Sequence, residues 1–283
     1  MIDTYKEVTR RIIAELEKGV IPWHCPWRPD EWRHRNLISG KPYRGINQIL
    51  LCMMPYESPF WLTPRQLHKL GGEVKPEEKG CGVVFWTLFE KVPGTKIPVL
   101  RFYTVYNIEQ TIGIPSKYIP NLPPKNLIEF DPISNAEEVI AAYSDCPEII
   151  HGGNRACYSP GSDLIMMPER VQFESEEEYY STLFHEMTHS TGHSSRLKRP
   201  GMENIRFGSE TYSKEELIAE FGAAFLCTHS GIAHATIQNS GAYIQSWLEK
   251  LKNDKKLVVQ AAHKAQKAVD YMMKNTQTKE NAA

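Results

Sequence analysis

His185-Glu186-Met187-Thr188-His189-Ser190-Thr191-Gly192-His193 is the stretch from which this chain is best read. Residues i and i+4 of a helix share a face, so His185 and His189 project together and can bind one metal ion. Glu186 falls beside that face. There a carboxylate can take a proton from a metal-activated water and pass it to a leaving amine. The surroundings favour a helix. Ser175 followed by Glu178 reads as a capping box that starts it, and Gly192 suits a left-handed cap at its end. Apolar Leu183, Phe184 and Met187 supply a back for it to bury.

A catalytic zinc takes three protein ligands and keeps a fourth position open. The best source of the third ligand is a helix predicted over residues 215–228, started by a second capping box, Ser213 with Glu216. Glu216 and Glu220 share one face of it. We read Glu216 as the ligand and Glu220 as the group that orients a histidine, an order that resembles the gluzincins. Because Glu216 also occupies the third position of the capping box, Glu220 stays open as the alternative ligand. The metzincin pattern fits less well, since the position of its third histidine holds Ser195. His193 has two readings, a donor to a transition-state oxyanion or a capping residue. The expected cofactor is one Zn²⁺ per chain, and another divalent transition ion fits the same donors.

With 283 residues, 41% of them hydrophobic, the chain can bury a substantial core in one large or two medium domains. No stretch approaches the roughly 18 apolar residues of a membrane span, and Met1 to Gly19 lacks the pattern of an export signal. These features predict a cytoplasmic protein with no membrane partner. Cys25, Cys52, Cys81, Cys146, Cys157 and Cys227 stand far apart with no Cys-x-x-Cys pair, so neither a disulfide framework nor a thiolate zinc knuckle is indicated. The near-neutral total charge conceals an asymmetry. Residues 1–125 carry 18 Lys+Arg against 12 Asp+Glu, and the remainder 15 against 22. Five of the six tryptophans, Trp23, Trp27, Trp32, Trp61 and Trp86, lie in the basic part.

Working outward, Tyr5, Val8, Ile12 and Leu16 mark a first helical face, and 46–54 reads as a short apolar helix. Thr63-Pro64 opens another helix, with Pro64 at its first position. Val83–Lys91 and Val99–Ile108 are β-rich runs joined by the turn signal Pro93-Gly94. Prolines between 112 and 132 mark a linker, which puts the boundary between domains of residues 1–125 and 126–283. A helix over 135–143 and short strands at 156–159 and 164–167 lead into the motif helix, and helices near 242–252 and 256–274 follow, ending in a polar tail. The expected fold is α+β. An N-terminal α+β domain precedes a mainly helical, zincin-like domain with a small antiparallel sheet.

Gly40-Lys41-Pro42-Tyr43-Arg44-Gly45-Ile46-Asn47, Trp61-Leu62-Thr63, Leu70-Gly71-Gly72, Val83-Val84-Phe85-Trp86 and Tyr106-Asn107-Ile108-Glu109-Gln110 stand in one order with the motif stretch. So do Tyr158-Ser159-Pro160, Ser195-Arg196-Leu197 and Glu215-Glu216-Leu217-Ile218-Ala219-Glu220. In this order the chain resembles the ArdC-type antirestriction proteins of plasmids and phages. The resemblance implies an N-terminal single-stranded-DNA-binding domain, a C-terminal zincin-like metallopeptidase domain, and protection of incoming DNA from host restriction. Coating a single strand needs cations for phosphates and flat rings for bases, and Lys41, Tyr43, Arg44, Asn47, Trp61, Arg65 and Trp86 offer that mixture. Arg44 is the best phosphate contact among them, whereas Trp61 and Trp86, set in apolar runs, also fit a core. Two functions follow. In one, a DNA-binding protein also cuts a protein substrate; in the other it shields DNA and its metal is structural. Glu186 favours the first, because a structural site needs no general base. A metal-dependent nuclease fits worse, since such enzymes gather carboxylates around two hard cations.

Overall fold

The computed structural model describes residues 3–23, 33–92, 95–122, 132–200, 202, 210–232 and 240–273. The Pro93-Gly94 turn, Trp27, Trp32 and the polar tail from 274 lie outside the described residues. The chain is α+β and divides into two compact units, Met1–Pro22 with Arg28–Ile128, and Trp23–Trp27 with Glu129–Ala283.

In the first unit, helix α1 (Thr4–Leu16) is capped by Asp3 and buries Val8, Thr9, Ile12 and Leu16. Strand β1 (Arg35–Asn36) and α2 (Ile46–Cys52) precede β2 (Phe60–Leu62) and α3 (Pro64–Lys69). Thr63 and Gln66 form the reciprocal capping box of α3, with Pro64 in the first turn where a missing N–H costs nothing. After β3 (Glu73–Val74), β4 (Cys81–Val92) and β5 (Thr95–Asn107) form a long antiparallel pair, and β6 (Thr111–Ile112) returns to β3. The main sheet has the order β1-β2-β5-β4, so β4 is an edge. Asn47 on α2 secures that edge by donating to Val84 O and accepting from Val84 N, both at 2.7 Å. Cys81 to Val84 are all buried, so the base of the pair is covered on both faces, and exposure begins at Phe85 and Trp86.

The second unit contains α4 (Pro132–Ala142), β7 (Glu148–His151), β8 (Cys157–Ser159) and β9 (Leu164–Met167). It continues through α5 (Glu176–Ser190), α6 (Glu210–Ser230), α7 (Ser240–Asn253) and α8 (Leu257–Met272). Its sheet has the order β7-β9-β8. Sequence predicted an antiparallel pair, and β8 and β9 are one, but β7 adds in parallel to β9 and makes the sheet mixed. Ile165 and Met167 of β9 are fully buried. The α5–α6 crossing is tight because Gly222 faces Thr188, where a Cβ would sit 2.4 Å from the threonine side chain. That close approach lets carboxylates from α6 reach histidines on α5. Trp23 groups with this unit, its ring edge-on to Phe221 at 4.8 Å and to Trp247 at 5.0 Å. Among the described residues no helix is long and apolar enough to cross a membrane.

Candidate metal centre and nucleic-acid interface

Helix α5 starts at Ser175, whose hydroxyl accepts from Glu178 N at 3.1 Å, and three glutamates in its first turn complement the helix dipole. Two turns further on, His185 and His189 face each other with their Nε2 atoms 3.1 Å apart. The Glu216 carboxylate of α6 faces the pair, with Oε2 3.5 Å from His185 Nε2 and Oε1 3.4 Å from His189 Nε2. Two donors at metal–nitrogen distances of about 2.05 Å and a tetrahedral angle should stand about 3.3 Å apart. The Nε2–Nε2 spacing lies near that length, and Glu216 sets one oxygen 3.4–3.5 Å from each nitrogen, so the three residues can gather around one ion. Among the described residues, these three form the one cluster able to hold a metal.

Each histidine turns its other nitrogen toward α6. Glu215 Oε1 lies 3.4 Å from His189 Nδ1, and Glu220 Oε1 lies 3.7 Å from His185 Nδ1. One helix therefore brings three glutamates to the two imidazoles, with Glu216 between the outer pair. Burial alone would lower both histidine pKa values, but Glu215 and Glu216 outweigh it at His189 and raise it to about 10. His185 is raised in the same sense, mainly by Glu216 acting against burial. Burial opposes ionisation of Glu215 and Glu216 too, yet their cationic partners hold both below the ordinary carboxylate range. Glu220, fully buried, is raised.

Glu186 is buried, and its Oε2 accepts a hydrogen bond from the backbone N–H of Tyr158 on β8 at 2.8 Å. The edge strand thus holds this carboxylate beside the histidines. His193 is not brought into the cluster; its Nδ1 contacts Ser195 Oγ at 2.8 Å and lies 4.0 Å from Asp163. Two sequence expectations are corrected. Ser213 does not cap a helix, because α6 begins at Glu210, and the Ser213 hydroxyl accepts from Lys250 Nζ instead. Glu216 is thereby freed of the competing local role. Gly192 does not adopt a left-handed conformation, and Thr191 is the C-cap. The glycine is required by space, since a Cβ would meet Arg199 Nη2 at 2.8 Å. Glu215 escaped sequence reasoning because no spacing rule separates it from its neighbour Glu216.

In the first unit the DNA candidates separate by burial. Lys41, Arg44 and Arg65 are exposed, and Trp86 is 45% exposed. Trp61 is 0% exposed and donates its indole N–H to His34 Nδ1 at 3.0 Å, so it serves the core and presents no face for a base. Asn47 is committed to Val84, and Tyr43 is buried with its pKa pushed up to about 12 by desolvation. Sequence reasoning missed an exposed aromatic row. Phe85 is 43% and Tyr103 38% exposed, with rings 5.6 Å apart, and the buried Tyr43 ring lies beneath them, 6.4 Å from Phe85. Exposed Arg101 is the cross-strand partner of Phe85. The period-two alternation of β4 and β5 was the available signal, but it acts only once the register is known.

A His-Glu-x-x-His helix beneath a small sheet, answered by a glutamate from a second helix, defines a zincin-like metal domain. Residues 134–264 match the zincin-like metallopeptidase family, and residues 2–108 match the N-terminal domain of anti-restriction factor ArdC. The chain belongs to the ArdC family of antirestriction proteins. The Mn(II)-bound crystal structure of antirestriction ArdC protein from the R388 plasmid is 40% identical, with a TM-score of 0.78 over 97% of this chain and 98% of that one. The metal-free structure of the same protein matches at 38% identity and a TM-score of 0.77, over 98% and 99% of the two chains. Two Escherichia coli proteins named DNA primase TraC are 35% and 34% identical over 95% of this chain, which spans only 20% and 27% of their lengths. An uncharacterized protein of Sinorhizobium fredii, y4eC, is 33% identical, covering 95% of this chain and 91% of that protein.

Proposed function

We propose that the first unit coats single-stranded DNA and shields it from restriction, and that the second is a zinc-dependent peptidase with His185, His189 and Glu216 as ligands. The carrying observation is the pair of histidine Nε2 atoms 3.1 Å apart, faced by the Glu216 carboxylate with one oxygen 3.4 Å from His189 Nε2 and the other 3.5 Å from His185 Nε2. Manganese in the R388 relative supports a divalent ion, and the two-histidine donor set favours zinc. A divalent ion at such a site acts as a Lewis acid and brings the acidity of water close to neutral pH. With Oε2 held by Tyr158 N–H, Glu186 takes up the proton at Oε1 and delivers it to the leaving amine of a protein substrate. Glu215, 3.4 Å from His189 Nδ1, keeps that imidazole turned so that its Nε2 faces the ion, and Glu220, 3.7 Å from His185 Nδ1, is the carboxyl placed beside the other ring.

On the first unit, Lys41, Arg44, Arg65 and Arg101 supply cations for phosphates. Phe85, Tyr103 and Trp86 supply faces for bases, with no hydrogen-bond code, as a binder indifferent to sequence requires. The alternative, a shielding protein with a structural metal, is disfavoured by the donor set. Structural zinc sites are closed by four protein ligands, and among the described residues three gather here beside an anchored carboxylate. Gel-shift titrations with single- and double-stranded DNA, run beside casein digestion on native and metal-stripped protein, test the proposal. Preference for the single strand should survive stripping while digestion stops. Preference for the duplex, or digestion that persists without metal, would overturn the corresponding half.

A further inference from the structure

Arg199 lies in the segment between the motif helix and α6, ten residues beyond His189, and its side chain is buried. Its Nε donates to both oxygens of Glu215 at 3.1 and 3.0 Å, and its Nη2 makes a further short contact with Glu215 Oε1. The same Nη2 donates to Thr188 O at 2.7 Å and His189 O at 3.2 Å, and Nη1 reaches Thr191 Oγ1. Thr188 O and His189 O belong to the last turn of α5, where they also accept from Thr191 Oγ1 at 2.7 Å and from Gly192 N at 2.9 Å. One planar guanidinium therefore ties the end of the motif helix to a carboxylate on the ligand-bearing helix. Lysine offers a single point of donation and cannot span this arrangement. The motif makes room for it, because any side chain at Gly192 would strike Arg199 Nη2 at 2.8 Å and Cζ at 2.9 Å.

We propose that Arg199 is a positioning residue of the metal centre, holding Glu215 against His189 Nδ1 so that His189 Nε2 stays directed at the ion. The inference rests on the ligand set proposed above and adds a fixed counter-charge, Arg199, that holds the orienting carboxylate of Glu215. Without Arg199, Glu215 would be a buried carboxylate whose remaining partner, His189, must itself serve the metal.

The test uses the full-length chain. Metal affinity by chelator competition and the visible spectrum of the Co(II)-loaded protein are measured for Arg199→Lys, Glu215→Gln and Gly192→Ala, with melting temperatures taken without metal. Losing an orienting partner costs about 10–100-fold in metal affinity. Each variant should show a loss in that direction, smallest for Gly192→Ala, with an altered Co(II) spectrum. Lowered melting temperatures with unchanged affinity and spectrum in the folded protein would reduce Arg199 to a structural role and overturn the proposal. A His185→Ala, His189→Ala double variant is run in parallel. If that variant binds metal normally, the ligand set itself is wrong and the inference falls with it.

Discussion

The two units place their candidate chemistry in opposite environments. In the second, five acidic and basic side chains, His185, His189, Glu215, Glu216 and Glu220, converge in a buried space between two helices. In the first, rings and Arg101 lie on the surface of a long strand pair, where Phe85, Trp86 and Tyr103 are each more than a third exposed, and Lys41, Arg44 and Arg65 are exposed elsewhere in the unit. A buried polar site has to be built to tight geometry, because each unpaired charge there is costly and each pair is strong. An exposed stacking surface tolerates variation, since any base offers a face and any phosphate a charge. Replacement in the second unit should therefore act sharply and on one property, while replacement in the first should act by increments.

The largest effect should come from Glu186→Gln, which keeps the hydrogen bond from Tyr158 but removes the base. Casein digestion should fall by about 10²–10⁴-fold with metal content and DNA affinity unchanged. Loss of metal from this variant would instead assign Glu186 a structural part.

Within the first unit, two aromatic residues sharpen the contrast between core and platform. Trp61→Ala should cost about 3–5 kcal/mol in chemical unfolding. Tyr103→Ala should leave stability nearly intact and weaken single-strand affinity by about 1–3 kcal/mol, read by fluorescence anisotropy. Reversed outcomes would mean that the strand pair is not the binding surface. The smallest effect belongs to Arg44→Ala, which should reduce the slope of log affinity against log salt by about 0.7 for one lost phosphate contact. An unchanged slope would remove Arg44 from the interface.

What could be read from sequence follows the same division. The histidine pair was legible because four residues of helix fix the geometry locally, and the start of α3 at Thr63-Pro64 and the β4–β5 pair were legible for similar reasons. Longer-range arrangements were not. Strand β7 joins in parallel across a long separation, and Arg199 reaches Glu215 from a segment with no motif. Ser213 and Glu216 show how a local rule misleads, since Ser-x-x-Glu also occurs inside a helix when packing extends it by a turn. Trp61 and Tyr103 carry similar chemistry on neighbouring strands, and only tertiary cover decides which is core and which is surface.

The most direct measurement is metal stoichiometry in the full-length protein and in the His185→Ala, His189→Ala double variant, with single-stranded DNA binding measured on the same samples. The account predicts one ion per chain in the wild type, none in the variant, and DNA affinity unchanged between them. A variant that retains one ion per chain, or that loses DNA binding while still folded, would contradict it.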